Sequence, residues 1–236
     1  MHIAGNIVTF MLSTSIAVNH EKQALAGLLS SFRELSGRVG IFGGTFDPLH
    51  NGHLATAEAA RRAFNLDTVV FVPTSHNPLK AQATMASGEE RVEMIRRSIC
   101  DRIGFLVSPI EALATGPSYT VDLLKAIHAE NLDSAEFYFI AADDAIASMP
   151  SWNNFHSIFK LAKIIPVRRD GGVVENLQAS PGGFTEHEIL ALKKNYVDQP
   201  AINVSATEIR QRLRAGESVD QFVPQAVSDY LKENRK

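Results

Sequence analysis

The run from Gly43 to Leu54 limits what this chain can fold into more than any other stretch. It reads Gly-Gly-Thr-Phe-Asp-Pro-Leu-His-Asn-Gly-His-Leu. A short apolar segment, Arg38–Phe42, precedes it and reads as a buried strand, and the alanine-rich spacing of Leu54–Phe64 reads as a helix. Gly43 and Gly44, placed between strand and helix, let the backbone approach a bulky anion. The free N–H groups and positive end of the helix favour phosphate at the same point. Thr45 and Phe46 fall in the loop, and Asp47 with Pro48 marks a turn. His50 and His53, three apart at the helix entry, share a face and can donate to the same phosphates. The chain has no Gly-x-Gly-x-x-Gly and no Gly-Lys-Ser/Thr. A dinucleotide fingerprint and a Walker loop are therefore excluded, and backbone and imidazole, rather than a lysine, are expected to hold the phosphates.

From Arg38 onward strand-like and helix-like runs alternate. Strands are expected at Thr68–Pro73, Phe105–Ser108, Glu136–Ala141, Ala162–Val167 and Ile202–Val204. Helices are expected from Ser87 to Cys100, from an N-cap at Ser118 to about Glu130, after Ser205 and after Pro224. Val121, Leu124, Ile127 and His128 are expected on the inner side of the second of these. Such alternation implies an α/β fold, a doubly wound, Rossmann-like parallel sheet with helices on both faces. Ligands of such sheets sit beyond the carboxyl ends of the strands, where Gly43–His53 falls.

With 236 residues, 45% of them hydrophobic and 21% charged, one large domain is expected. A formal net charge of −3 argues against a chain that grips nucleic acid by charge. Residues 1–36 are expected to form an extension and residues 37–236 the domain. Ile3–Val18 is only mildly apolar, too short to span a bilayer, and not preceded by lysine or arginine, so neither a membrane span nor a secretory signal is expected. Leu25, Leu28, Leu29, Phe32 and Leu35 mark one face of an amphipathic helix that would pack on the domain or a partner; Met11 offers an alternative start. The single cysteine, Cys100, rules out an internal disulfide and fits a reducing cytoplasm. It closes the pattern Val92, Ile95, Ile99 and is expected to pack in the core.

A second cluster lies at Asn203–Arg210. Ser205 and Glu208 have the spacing of a capping box. Thr207 and Arg210 stand on one side of the same helix, so hydroxyls and a guanidinium surround its N-terminus and make a second anion cradle. Two such sites suit a triphosphate bridging two loops. Arg212 and Arg214 are expected on a solvated face.

Gly43–His53 resembles the signature of the nucleotidyltransferase superfamily with the His-x-Gly-His motif, and Ser205–Arg210 resembles the Ser-x-Thr-x-x-Arg motif of its bacterial adenylyltransferases. Further segments are similar to the nicotinate-nucleotide adenylyltransferase family: Gly116–Thr120 to its Pro-Ser-Tyr-Thr, Ile140–Asp143 with Trp152 to its Ile-Gly-x-Asp and following tryptophan, and Val167–Arg169 to an arginine-bearing strand end. Gly216–Val219 through Pro224 and Val227–Tyr230 match its tail. The likeness covers roughly Arg38 to Glu233. Ala141 stands where the family usually has glycine, Asp170 where it has proline, and Lys80 survives from a Pro-Pro-His-Lys loop in which Leu79 takes the histidine position.

The resemblance implies transfer of AMP from ATP to nicotinate mononucleotide, giving deamido-NAD and pyrophosphate in NAD biosynthesis. It implies an ATP site of Gly43, Gly44, Thr45, Phe46, His50, His53, Asp143, Ser205, Thr207 and Arg210, with His50, His53 and Arg210 catalytic. It implies an acceptor site of Lys80, Tyr119, Thr120, Trp152 and Arg169, with the loop around Lys80 as its lip. The chemistry agrees: a phosphate monoester is already mostly dianionic at neutral pH, with a second pKa of about 6, so no general base is needed. Placement and charge cancellation suffice. Mg²⁺ is expected on the phosphate oxygens rather than in a carboxylate cluster, and no protein-held metal is expected. Neither nucleic acid nor membrane is an expected partner; a homo-oligomer is left open. Nicotinamide mononucleotide or phosphopantetheine as acceptor, and a nucleotide sensor without catalysis, are the rival readings.

Overall fold

The computed structural model describes residues 31–75, 84–114, 116–131, 134–169, 173–200 and 202–234. Leu25, Leu28 and Leu29 of the expected extension helix, as well as Lys80 and Asp170, lie outside them. Five strands form one sheet: β1 (Gly37–Gly44), β2 (Thr68–Pro73), β3 (Phe105–Val107), β4 (Ala135–Ala142) and β5 (Lys163–Val167). Their order is β3-β2-β1-β4-β5 and every pairing is parallel. Parallel strands need crossovers. Those described include α1 (Asn51–Phe64), α2 (Gly88–Ile99), α3 (Thr120–Glu130), α4 (Asp143–Ser148) and a single turn α5 (Ile158–Leu161). Beyond β5 come α6 (Glu186–Lys194), α7 (Ala206–Arg214) and α8 (Gln225–Asn234).

Strand residues alternate between two cores. Phe71 of β2, Tyr138 and Ile140 of β4 and Ile165 of β5 face α1, α2, α7 and α8. Val39 and Ile41 of β1, Val70 and Val72 of β2, and Phe137 and Phe139 of β4 face α3 to α6. The doubly wound architecture expected of the alternation is the one observed, because strands buried on both sides must be apolar throughout. The strand order reverses direction at β1, so a crevice opens between the ends of β1 and β4.

Several local expectations are corrected. Ile202–Val204 is not a strand: Val204 packs in the core, but no ladder pairs the segment. Ser118 does not cap α3; Tyr119 is at the cap position without a side-chain bond, and the Ser118 hydroxyl accepts from the Ser75 N–H at 3.2 Å. His128 is exposed rather than inward, its ring edge on Phe137 and its Nε2 2.5 Å from the Leu161 carbonyl. Cys100 is exposed, its thiol donating to the Arg97 carbonyl, because α2 ends at Ile99 and the next residue leaves the apolar face. The short α4 and the whole of α6 were not expected. At the start of the described chain, Phe32 is buried, and Asn131 donates to the Phe32 and Leu35 carbonyls at 2.6 and 2.9 Å.

Candidate active site

The loop from β1 to α1 is held from behind. A Cβ on Gly44 would lie 2.9 Å from the Phe46 ring, so only glycine lets that ring fold back onto the strand end. Phe46 itself has φ +49, a conformation that costs a bulky residue about 1–3 kcal/mol. Burial edge-on against Phe42 and Phe71 holds it there. The Asp47 carboxylate accepts from the Met85 and Ala86 N–H groups at 2.7 and 3.0 Å. Arg91 of α2 is only 1% exposed, and its Nη1 donates to the carbonyls of Thr45 and Thr74, both at 2.7 Å. Burial lowers the Arg91 pKa and the nearby Asp47 charge opposes that shift. Charge-assisted bonds thus fix the ends of β1 and β2 relative to one another.

The two histidines cap α1 reciprocally. His50 is the N-cap; its Nδ1 accepts from the His53 N–H at 3.3 Å, and His53 Nδ1 accepts from the His50 N–H at 3.2 Å. Their rings stack 3.6 Å apart, tilted by 19°, and the His53 ring also meets Phe46 edge-on. An imidazole that accepts at Nδ1 carries its proton at Nε2 when neutral. Both histidines are therefore set as Nε2–H donors. The His50 Nε2 is buried and has no hydrogen-bond partner, an arrangement that folded proteins avoid unless a ligand completes it. Burial, followed by the charge of Arg169, pulls the His50 pKa from 6.5 down to about 3, so this ring works as a neutral donor.

That shift carries a stability prediction. The folded state binds the His50 proton less tightly than the unfolded chain, so this contribution is full above pH 6.5 and is lost as the pH falls from 6.5 towards 3. Urea midpoints at pH 7 and pH 4.5 should show the wild type losing roughly 2 kcal/mol more than His50→Asn, which keeps an acceptor at the cap. Equal losses in the two proteins would refute the assignment.

Beyond the loop lies a cavity of about 680 Å³, within the range of ligand sites. Gly43, Gly44, Thr45, Phe46, His50, His53, Tyr119, Thr120, Trp152 and Arg169 line it, together with Thr74, Glu111, Ser118, Phe139, Ala141 and Asp144. Most of the residues singled out in the sequence thus line one cavity. Trp152 stands edge-on to Phe139, its indole N–H donating to the Ser148 hydroxyl at 3.2 Å. Arg169, two residues past β5, donates to the Val204 carbonyl at 2.9 Å and pairs with Asp144 at 3.3 Å. Ala141 is a buried residue of β4.

Other expected residues, Asp143, Ser205, Thr207 and Arg210, do not line it. Asp143 opens α4, buried, with its carboxylate accepting from the Arg169 N–H at 3.4 Å. Ser205 caps α7 by accepting from the Glu208 N–H at 3.1 Å, but the box is half formed, because Glu208 turns to Arg212 instead. Arg210 donates to the Asp47 carbonyl at 2.8 Å and to the Thr207 hydroxyl at 3.1 Å, which ties α7 to the β1–α1 loop. Thr74, from the loop expected as the lip, lines the cavity, as do Glu111 and Asp144, which were not picked out from the sequence. A lone glutamate in a turn carries no signal until tertiary packing buries it.

A parallel sheet with a glycine loop and paired histidines at its switch point defines the cytidylyltransferase-like class, and the model of that family matches residues 41–212. Among curated relatives, one from Desulfitobacterium hafniense is 38% identical over 206 residues, covering 83% of this chain and 93% of its own. One from Geobacter sp. is 36% identical over 214 residues, covering 84% and 97%. Both bear the name probable nicotinate-nucleotide adenylyltransferase. Among solved structures, the Plasmodium falciparum nicotinic acid mononucleotide adenylyltransferase in complex with NaAD superposes with a TM-score of 0.62 at 17% identity, over 84% of this chain and 96% of that one, and shares its fold. The chain belongs to the nicotinate-nucleotide adenylyltransferase family.

Proposed function

We propose that the chain transfers AMP from ATP to nicotinate mononucleotide, releasing pyrophosphate and forming deamido-NAD for NAD biosynthesis, in the cytoplasm. The observation that carries this reading is the reciprocal His50–His53 cap, which sets two Nε2–H donors beside the cavity and leaves the one on His50 without a protein partner. The acceptor phosphate oxygen attacks the α-phosphorus of ATP in line, and the bond to the bridging oxygen of pyrophosphate breaks. The loop Gly43–Phe46 and both histidines hold the phosphates and offset the charge that shifts to the leaving group. Ser205, Thr207 and Arg210 support the nucleotide side of the loop. Tyr119, Thr120 and Trp152 would take the acceptor, with the pyridine against the indole. Mg²⁺ would be held on the phosphate oxygens of ATP and would offset their charge. The carboxylates on the cavity wall are Glu111 and Asp144, and no group of three candidate ligands occurs among the described residues, a donor set that fits an ion carried on phosphate oxygens.

Pyrophosphate release with ATP and Mg²⁺ tests the reading, with nicotinate mononucleotide, nicotinamide mononucleotide and phosphopantetheine offered in parallel. Preference for the first is expected. Preference for either other acceptor would replace it, and ATP binding without turnover would leave a nucleotide sensor.

A further inference from the structure

Glu111 follows the edge strand β3, in the turn that leads to α3, and the mechanism above does not use it. It lines the same cavity as Ser118, Tyr119, Thr120, Phe139 and Trp152. Its backbone is fixed: the Glu111 carbonyl accepts from the Ala114 N–H at 3.1 Å, and the next residue, Ala112, abuts Gly88 so closely that a Cβ there would come within 2.1 Å of its carbonyl oxygen. β3 lies two strands away from β1, about 10 Å at the usual spacing. A mononucleotide whose phosphate sits at Thr45 and the histidines spans a distance of that order from phosphate to ring substituent. With Tyr119 and Thr120 taking the acceptor, Glu111 on the same cavity is within reach of its far end.

We infer that Glu111 is a specificity-determining residue that reads the substituent on the acceptor's pyridine ring, donating a proton to a carboxylate when neutral and accepting from a carboxamide when ionised. The inference rests on the adenylyl-transfer reading and deepens it. A neutral carboxyl satisfies a second carboxylate by one O–H···O⁻ bond, whereas two ionised carboxylates at that distance repel. An ionised Glu111 has no donor to offer and suits the NH₂ of an amide.

The surroundings allow the switch near neutral pH. Burial raises the Glu111 carboxyl to about 7, with no charged neighbour contributing. The other titratable groups on the cavity wall are His50 and His53 at α1, Tyr119 at α3, Asp144 at α4 and Arg169 after β5, and Glu89 and Glu90 lie in the first turn of α2, behind the glutamate's turn. A nicotinate acceptor would hold the proton on Glu111 and push its titration higher still. A nicotinamide acceptor would push it lower.

The test is kcat/KM for nicotinate mononucleotide divided by that for nicotinamide mononucleotide, from pH 6 to pH 9. Both acceptors carry the same phosphate, so its titration and that of the ATP site cancel in the ratio. The wild-type ratio should fall by about tenfold or more across this range. In Glu111→Gln, whose amide both donates and accepts at every pH, the ratio should be flat. Calorimetry at pH 8 gives a readout apart from turnover: nicotinate mononucleotide should bind with net proton uptake in the wild type and with none in the variant. A wild-type ratio independent of pH, or a variant that slows both acceptors equally and keeps the wild-type pH dependence, would overturn the inference and leave Glu111 a structural residue. Absence of turnover with either pyridine acceptor would instead overturn the adenylyl-transfer reading, and this inference with it.

Discussion

His50→Asn should lower kcat by about 10²–10³-fold while leaving the fold in place. The substitution separates the two jobs of the histidine. Asparagine is among the best N-cap residues, and its side-chain oxygen can replace Nδ1 as acceptor for the His53 N–H, so the start of α1 survives. What is lost is the Nε2–H, a buried donor for which the protein supplies no partner. A donor set in place before the reaction is worth most where charge develops, in a site that excludes water. Because burial holds His50 neutral, the loss should not depend on pH between 6 and 8. Single-turnover rates with saturating ATP would measure it, and thermal melting would show whether the cap held. A kcat within threefold of the wild type would remove His50 from the chemistry. His53→Asn should act similarly, and the double variant should fall little further than either single one if both donors serve one phosphate group.

How much of this could be read in the sequence differs by region, for physical reasons. The β1–α1 loop was legible because its chemistry is local: strand, glycines, histidines and helix are consecutive, and the residues that cap one another are three apart. The parallel sheet was legible because strands covered on both faces must be continuous apolar runs, as Thr68–Pro73 is. The short α4 was missed because it starts at the strand end with no side-chain cap to announce it. For α6 the signal was present, a Thr185–Glu188 capping box, and was not used. Ile202–Val204 looked like a strand because it is a short apolar run before a capped helix, but Val204 is buried by packing near Gly52 and α7 rather than in a ladder. Glu111 and Arg91 could not be found. Each looks like a solvated charge along the chain, and only the approach of segments distant in sequence buries Arg91 fully and Glu111 in part.

Arg91→Met should therefore give the largest loss of stability, although the residue sits among Glu89, Glu90 and Glu93 in what reads as an exposed helix face. Its guanidinium makes two 2.7 Å bonds, to the carbonyls of Thr45 and Thr74, and stands near the buried Asp47. Methionine fills much of the volume but removes the charged donor from both carbonyls and leaves the buried Asp47 carboxylate without its compensating charge. Removing one partner from such an arrangement costs about 3–5 kcal/mol, which for a chain of this size lowers Tm by roughly 6–20 °C. Arg91→Lys keeps the charge but not the planar fork, and should recover only part of the loss. The functional consequence follows from where the bonds end. Thr45 lies in the phosphate loop, and the Asp47 carbonyl is the acceptor for Arg210, so freeing this segment loosens both anion sites at once. KM for ATP should rise more than KM for the acceptor in Arg91→Lys, measured at a temperature well below its Tm. Melting within 2 °C of the wild type for Arg91→Met, with unchanged KM for ATP, would show that the loop is held by its own packing, through Phe46 on Gly44, and not by the arginine.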